Sequence, residues 1–185
     1  MSLTKTPLCE FGKKAEDFNL KSVSNKLISL DSIKGDNATL VMFICNHCPY
    51  VKAIITELVS DCKQLLFHGV NSVAIMPNDT KNYPEDSFEN MINFSKNNKF
   101  EKIEYLFDEK QEIAKKYGAV CTPDFFGYNS NFELQYRGRI RELKDLKPLK
   151  DNESELKKAM IMISQTQKGP EKQIPSMGCN IKWFN

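Results

Sequence analysis

The stretch TLVMFICNHCPYVK, residues 39–52, decides the fold of this chain. Residues 39–44 form a mostly apolar run, which is typical of a strand buried on both faces of a sheet. From Pro49 onward the apolar residues recur at helical spacing. Two cysteines, Cys45 and Cys48, therefore stand where a predicted buried strand becomes a predicted helix.

Strands and helices alternate along the rest of the chain. This alternation predicts a mixed sheet flanked by helices, with a right-handed crossover after the first buried strand. We expect one α/β domain over residues 1–185, in which residues 168–185 form an extended tail. The other predicted elements are a hairpin at 17–33, strands at 70–76 and 105–107, helices at 88–92, 108–117 and 156–163, and a second hairpin formed by 124–128 and 132–136.

Composition narrows the range of functions. The chain has 185 residues, of which 41% are hydrophobic, and this is enough to fill the core of one domain. The formal net charge is only +2 and no basic stripe is present, which argues against a nucleic-acid partner. Residues 1–14 contain no apolar run, and no stretch approaches the ~18 apolar residues of a membrane span. We therefore expect a cytoplasmic protein with no membrane partner.

The cysteine count allows more than one interpretation. An even number of cysteines can indicate a disulfide framework, but that framework suits small secreted domains. In a reducing compartment, cysteines are better interpreted as catalytic, metal-binding or buried. The six are Cys9, Cys45, Cys48, Cys62, Cys121 and Cys179.

The position of Cys45 and Cys48 favours redox chemistry. Backbone amides and the dipole at a helix start stabilise a thiolate, which is the nucleophilic form of cysteine. We expect Cys45 to be the exposed, attacking thiol and Cys48 to resolve the mixed disulfide. His47 lies between them, and as a cation or donor it would lower the pKa of Cys45 and make the pair more oxidising. The alternative for His47 is a side chain that merely faces solvent.

Two other types of site use the same residues. Haem attachment needs a histidine directly after the second cysteine, where this chain has Pro49. Structural zinc normally needs a second ligand pair, and the remaining cysteines and His68 are isolated in sequence. The sequence therefore predicts no metal and no cofactor, with a metal-binding protein as an open alternative.

Five motifs spread over the chain support a resemblance. The sequence resembles the thioredoxin-like proteins of the redoxin group, related to the thiol-specific-antioxidant and alkyl-hydroperoxide-reductase proteins. This resemblance implies a thioredoxin-like three-layer sandwich with an N-terminal β-hairpin extension, and a redox role. The motifs are Cys-Asn-His-Cys-Pro-Tyr-Val-Lys at 45–52, Asn-Asp at 78–79 with Tyr-Pro-Glu-Asp at 83–86, Cys-Thr-Pro-Asp-Phe-Phe at 121–126, Tyr-Arg-Gly-Arg at 136–139 and Gly-Cys-Asn-Ile-Lys-Trp at 178–183.

The resemblance also assigns positions opposite the cysteine pair. It implies that Pro123 is a cis-proline, which would leave the Thr122 backbone free to pair with a substrate chain. The loop at 77–85 leaves the carboxyl end of a strand parallel to the one that carries Cys45, so it should lie on the same face. Asp79 in this loop is a candidate for proton transfer with Cys48, and the alternative is a carboxylate that only caps the loop.

Two enzyme classes compete for this pattern. The related peroxidases need Thr or Ser three residues before the reactive cysteine and Pro seven before, where this chain has Met42 and Ala38. We therefore predict a thiol–disulfide oxidoreductase, with a thiol-dependent peroxidase as the alternative. Its partners would be protein or small-molecule disulfides and a thiol reductant. Cys121 is predicted to accept the disulfide from Cys45 under oxidative load. Cys179 is expected to be buried by docking of the tail through Trp183, and the alternative is that docking brings it near a second thiol.

Overall fold

The computed structural model describes residues 3–149 and 153–184, so residues 1, 2, 150–152 and 185 lie outside the described part of the chain. The main sheet has seven strands in the order β3-β2-β6-β5-β4-β8-β9. The strands are β1 (Leu3–Lys5), β2 (Asn19–Ser22), β3 (Leu27–Ser29), β4 (Ala38–Phe43), β5 (Val70–Met76), β6 (Ile103–Phe107), β7 (Cys121–Thr122), β8 (Asp124–Asn129), β9 (Leu134–Tyr136), β10 (Leu143–Lys144), β11 (Lys147–Pro148) and β12 (Met177–Asn180). The helices are α1 (Pro49–Leu65), α2 (Phe88–Asn97), α3 (Glu112–Tyr117) and α4 (Glu155–Thr166).

The main sheet is mixed, as the sequence predicted. β4, β5 and β6 are parallel neighbours, whereas β8 runs antiparallel to β4. The antiparallel pair β2–β3 extends the sheet at one edge, and this pair is the predicted N-terminal hairpin. The predicted C-terminal hairpin is the antiparallel pair β8–β9.

Strand β4 divides the core into two layers. All six of its residues are buried, and successive side chains point to opposite faces of the sheet. Leu40 and Met42 pack in the cluster that includes α1 and α4, while Val41 and Phe43 pack in the cluster that includes α3. Helices therefore cover both faces, which explains why β4 is apolar throughout.

Helix α1 starts and stops where the sequence indicates. Cys48 is the N-cap residue, with an extended backbone, and Pro49 occupies the first turn, where its missing N–H costs nothing. A short 3-10 turn, Leu66–His68, follows the helix, and Gly69 ends it with a φ of +69°. The cysteine pair is thus held at the carboxyl edge of the parallel strands.

A second sheet, which the sequence did not predict, lies beside this edge. Strand β12 from the tail pairs with both β1 and β7. In the antiparallel pairing with β7, Cys179 lies opposite Thr122 and Asn180 lies opposite Cys121. A Cβ atom on Gly178 would clash with the carbonyl oxygen of Thr122, so this strand requires glycine there.

Other elements differ from prediction for local reasons. Helix α3 begins at Glu112 rather than at Asp108, because Gln111 takes a left-handed conformation with φ of +60°. Asp108 still accepts a hydrogen bond from the Ala114 amide at 2.8 Å, so it caps the helix from a distance. No helix within the described residues is long and apolar enough to cross a membrane.

The tail docks through a different residue from the one expected. Trp183 remains 37% exposed, and Lys115 lies 5.7 Å from its ring centroid. Ile181 is buried instead, with 1% of its surface exposed. Ile181 follows β12 directly, and its amide donates to the Val120 carbonyl at 3.2 Å, which holds this residue against the domain.

Candidate active site

The structure brings Cys45 and Cys48 together against Thr122. The sulfur of Cys45 lies 3.3 Å from the Thr122 hydroxyl oxygen, and the sulfur of Cys48 lies 3.1 Å from the Thr122 carbonyl oxygen. No disulfide joins these or any other cysteines, all of which fall within the described residues. The expectation that Cys45 is exposed is wrong, because only 1% of its surface reaches solvent.

The helix start acts on Cys48 rather than on Cys45. Cys48 caps α1, and its sulfur accepts hydrogen bonds from the backbone amides of Val51 and Cys179. The pKa of Cys48 is lowered to about 5, chiefly because the Cys45 thiol donates a hydrogen bond to it, and the two amides add to this effect against the burial. The pKa of Cys45 is raised well above its usual value, first by the same hydrogen bond and then by burial. The hydrogen bond between the two sulfurs therefore favours a thiolate on Cys48 over a thiolate on Cys45.

His47 is held by a carboxylate rather than by the cysteine pair. Its Nδ1 lies 2.7 Å from the Asp86 carboxylate and 4.0 Å from the Cys45 sulfur. The hydrogen bond to Asp86 raises the pKa of His47, with burial opposing it. The negative charge of Asp86 raises the pKa of Cys45, and the idea that His47 lowers that pKa stays a prediction.

Asp86 is the centre of a buried network. Its carboxylate accepts hydrogen bonds from the Asn46 amide and the Asn78 side chain, both at 2.8 Å, as well as from His47. Burial alone would raise the pKa of Asp86, but the bonds from His47 and Asn78 outweigh it and lower this pKa. Asn46 in turn accepts from the Tyr105 hydroxyl at 2.9 Å. Sequence reasoning missed this role of Asp86, whose only signal was its place in the motif at 83–86.

The Thr122–Pro123 peptide bond is cis, which confirms that prediction. The Thr122 backbone, however, is not free for a substrate chain. It pairs with Cys179 of β12, and its carbonyl oxygen lies 3.1 Å from the Cys48 sulfur. The chain's own tail therefore pairs with the strand edge at which the resemblance implied that a substrate chain would pair.

Asp79 lies in the loop that joins the site to the tail. Its carboxylate accepts from the Lys81 amide at 2.9 Å, and its own amide donates to the Lys182 carbonyl at 2.8 Å. Hydrogen bonds from Asn82 and Lys81 outweigh burial and lower the pKa of Asp79. These contacts are the ones expected if Asp79 caps the loop, while proton transfer between Asp79 and Cys48 stays a prediction.

Comparison with other proteins places this site in a family. The model described as the AhpC/TSA family matches residues 11–143. The chain belongs to the AhpC/TSA family. No protein of curated function matches the sequence.

Two solved structures resemble the whole AhpC/TSA-family chain. An uncharacterized conserved protein from Geobacillus kaustophilus is 38% identical, with a TM-score of 0.94, and the match covers 100% of this chain and 97% of that one. A hypothetical protein from Sinorhizobium meliloti 1021 is 33% identical, with a TM-score of 0.90 and 98% of each chain covered.

More distant structures show the fold. Peroxidoxin BcpB from Mycobacterium tuberculosis is 14% identical, with a TM-score of 0.57, and the match covers 68% of this chain and 82% of that one. A disulfide oxidoreductase also occurs among these distant structures. The fold is thioredoxin-like, as predicted, and the chain is a thiol redox protein of the redoxin type.

A metal ion fits this AhpC/TSA-family site poorly. Potential ligand atoms of Cys45, His47 and Asp86 lie within 4.8 Å of one another, and this donor set is one that zinc accepts. Each oxygen of Asp86 nevertheless already accepts two hydrogen bonds from the protein. A metal would have to displace the proton between His47 and Asp86, so the carboxylate is better interpreted as orienting the imidazole.

A buried ion pair lies next to the cis-proline in the sequence. Arg137 lies 2.9 Å from the Asp124 carboxylate, and its guanidinium stacks 4.5 Å from the Phe126 ring centroid. Burial raises the pKa of Asp124 to about 6, with Arg137 opposing the rise. The motifs at 121–126 and 136–139 therefore meet in space, a pairing that the sequence did not reveal.

Proposed function

We propose that this protein exchanges disulfides through Cys45 and Cys48, with Cys45 as the attacking thiol and Cys48 as the resolving thiol. The observation that carries the proposal is the placement of both sulfurs against Thr122, at the start of α1 and next to the cis-proline Pro123. An activated thiolate is sufficient for exchange with a disulfide.

Access to the sulfurs supports Cys45 as the attacking atom. The Cys48 sulfur is enclosed by the Cys45 thiol, the Thr122 carbonyl and two backbone amides. Cys45 instead adjoins His47, whose side chain is 12% exposed. A substrate disulfide that approaches past His47 therefore meets Cys45 first.

The proton that passes between Cys45 and Cys48 accounts for the proton transfer in each step of the exchange. The Cys45 proton passes to the Cys48 thiolate along their hydrogen bond, and the Cys45 sulfur attacks the substrate disulfide. One substrate thiolate leaves and takes up a proton from solvent. Cys48 then loses its proton and attacks the Cys45 sulfur, which forms the Cys45–Cys48 disulfide and releases the second substrate thiol.

A cavity beside Pro123 supports a substrate that carries an acidic group. It has a volume of about 480 Å³, and its lining includes Tyr50 and Ile54 on the apolar side and Arg141 on the polar side. Arg141 also pairs with Glu57 at 3.2 Å. Lys5 and Arg139 line the same cavity, whose lining includes the acid Asp145, and this excess of cations would attract a carboxylate near the disulfide.

Trapping the mixed disulfide tests the proposal. Cys48→Ser should accumulate a mixed disulfide on Cys45 when it is incubated with glutathione disulfide, and intact mass spectrometry would show the added glutathione. Cystamine, which is cationic, should react more slowly. Cys62→Ser is the matched control, because Cys62 is a buried thiol remote in sequence from the pair, and it should react as the wild type does.

Two results would contradict the proposal. Trapping through Cys48 in Cys45→Ser, with none through Cys45, would reverse the roles. Consumption of hydrogen peroxide by the wild type that exceeds its reaction with every disulfide tested would favour the peroxidase alternative.

A further inference from the structure

A third thiol contacts the cysteine pair. Strand β12 places Cys179 opposite Thr122, whose carbonyl lies 3.1 Å from the Cys48 sulfur. Both the backbone amide and the side chain of Cys179 hydrogen-bond to Cys48. Cys48 therefore has one cysteine, Cys45, as a neighbour along its own segment and a second, Cys179, from the tail.

The other buried cysteines are placed differently. The thiol of Cys121 lies 3.7 Å from the Pro123 carbonyl, and its residue pairs with Asn180 rather than with Cys179. Cys62 lies on the buried face of α1. The thiol predicted from sequence to take up the disulfide, Cys121, is thus not the one that hydrogen-bonds to Cys48.

We propose that Cys179 is a third redox thiol, which receives the disulfide from the Cys45–Cys48 pair; this inference rests on the proposed function. In the oxidised protein, Cys179 loses its proton and its sulfur attacks the Cys48 sulfur. The Cys48–Cys179 bond forms as the Cys45–Cys48 bond breaks. Cys45 leaves as a thiolate and takes up a proton, so no further oxidant or reductant is needed.

The electrostatics of the pair suit this order of events. In the reduced protein the pKa of Cys179 is raised to about 12, first by burial and then by its contact with Cys48. Oxidation removes the negative charge from Cys48. It therefore also removes the part of the rise in the Cys179 pKa that Cys48 causes. The ammonium of Lys182, which lowers this pKa, remains in place. Cys179 is therefore a better nucleophile once Cys48 has entered a disulfide.

The exchange would change what the protein presents to its partners. Cys45 would again be a thiol, able to attack a second disulfide. The start of α1 would be covalently joined to β12, and a reductant would have to act on the Cys48–Cys179 bond. One polypeptide could then pass an oxidising equivalent from its substrate site to its tail strand.

Tryptic mapping of the full-length protein tests the inference. Cys45 and Cys48 share the peptide 35–52, Cys179 lies in 173–182 and Cys121 lies in 117–137. The reduced wild type is oxidised with glutathione disulfide, quenched in acid and unfolded with N-ethylmaleimide present. We expect a disulfide-linked pair of peptides 35–52 and 173–182, with maleimide on Cys45. Cys45→Ser oxidised with diamide should give the same linked pair in larger yield.

Matched variants make the outcomes distinct. Cys179→Ser should lose the maleimide on Cys45, whereas Cys121→Ser should keep it. If oxidation yields only the Cys45–Cys48 disulfide, and Cys45→Ser leaves Cys179 as its maleimide adduct, the inference is overturned while the proposed function stands. If the wild type forms no disulfide at all, both are overturned.

Discussion

Replacing Asp86 by asparagine tests whether the buried carboxylate organises the site. The carboxylate accepts four hydrogen bonds, from the Asn46 amide, the His47 amide, the His47 ring and the Asn78 side chain. An asparagine side chain keeps one oxygen acceptor and turns its NH₂ group toward some of these donors. We therefore expect Asp86→Asn to destabilise the fold and to release His47.

The size of the effect follows from burial and charge. Asp86 is fully buried, and the His47 ring, whose Nδ1 lies 2.7 Å away, forms an ion pair with it when the ring is protonated. Removing one partner of a buried ion pair costs about 3–5 kcal/mol, which is a large share of a typical total of about 5–15 kcal/mol. Since a single carboxylate supports the turn at residues 46–47, the loss should also loosen the backbone just after Cys45.

The pH dependence has a definite sign. The pKa of His47 is raised in the folded state, so its stabilising contribution is complete below its unfolded value of about 6.5 and is lost as pH rises through the folded pKa. The pKa of Asp86 is lowered, so its contribution is present above its unfolded value of about 3.9 and is lost as pH falls through the folded pKa. The difference between wild type and Asp86→Asn should be largest between these limits.

Urea unfolding over a pH series measures the difference in the free energy of unfolding between the wild type and Asp86→Asn. NMR titration of the ring protons measures the pKa of His47. Glu85→Gln is the matched control, because Glu85 is the adjacent but exposed carboxylate. The control should change stability by less than about 0.5 kcal/mol. Equal stabilities for the two variants, together with an unchanged His47 titration in Asp86→Asn, would refute this account of the site.

Three further changes test other contacts. Cys45→Ala should raise the pKa of Cys48 from about 5 toward the ordinary value of 9.0, since the Cys45 hydrogen bond is the largest cause of the shift. Thiolate absorbance measured against pH checks this, and an unchanged midpoint would contradict it. Gly178→Ala should push β12 away from Thr122 and cost about 1–3 kcal/mol of stability in urea unfolding; a cost no larger than for an alanine at an exposed position of β12 would count against the clash. Asp79→Asn should slow release of the mixed disulfide without slowing its formation, and stopped-flow rates that change equally, or not at all, would leave Asp79 as a loop cap only.

Local pattern was enough to predict the centre of the fold. The apolar run of β4 and the helical spacing after Pro49 each depend on neighbouring residues, so periodicity predicted both. The position of Cys45 and Cys48 at the strand–helix junction followed from the same pattern. The turn at Gly118, with φ of +65°, was also predictable, because glycine tolerates the left-handed conformation that ends α3.

The rest of the site depends on contacts between distant segments. His47 and Asp86 are 39 residues apart, and nothing in the spacing of either motif indicates that they touch. The role of Gln111 was likewise not predictable from local pattern. Its side chain donates to the carbonyls of Pro77 and Lys182, which are distant in sequence, and α3 begins only after this residue. The exposure of Cys45 was mispredicted because its sulfur packs against Thr122, a residue 77 positions away in the sequence.

The pairing of β12 with β7 also has a consequence for biosynthesis. A ribosome makes the chain from the amino end, so Cys179 emerges after every other cysteine. Until then, Cys48 lacks the hydrogen bond from the Cys179 amide, although Cys45 and Val51, which also donate to it, have already been synthesised. Contacts of such long sequence separation form slowly, because the intervening chain must be closed into a loop. Until β12 has docked against β7, a nascent chain therefore lacks one of the hydrogen bonds that lower the pKa of Cys48.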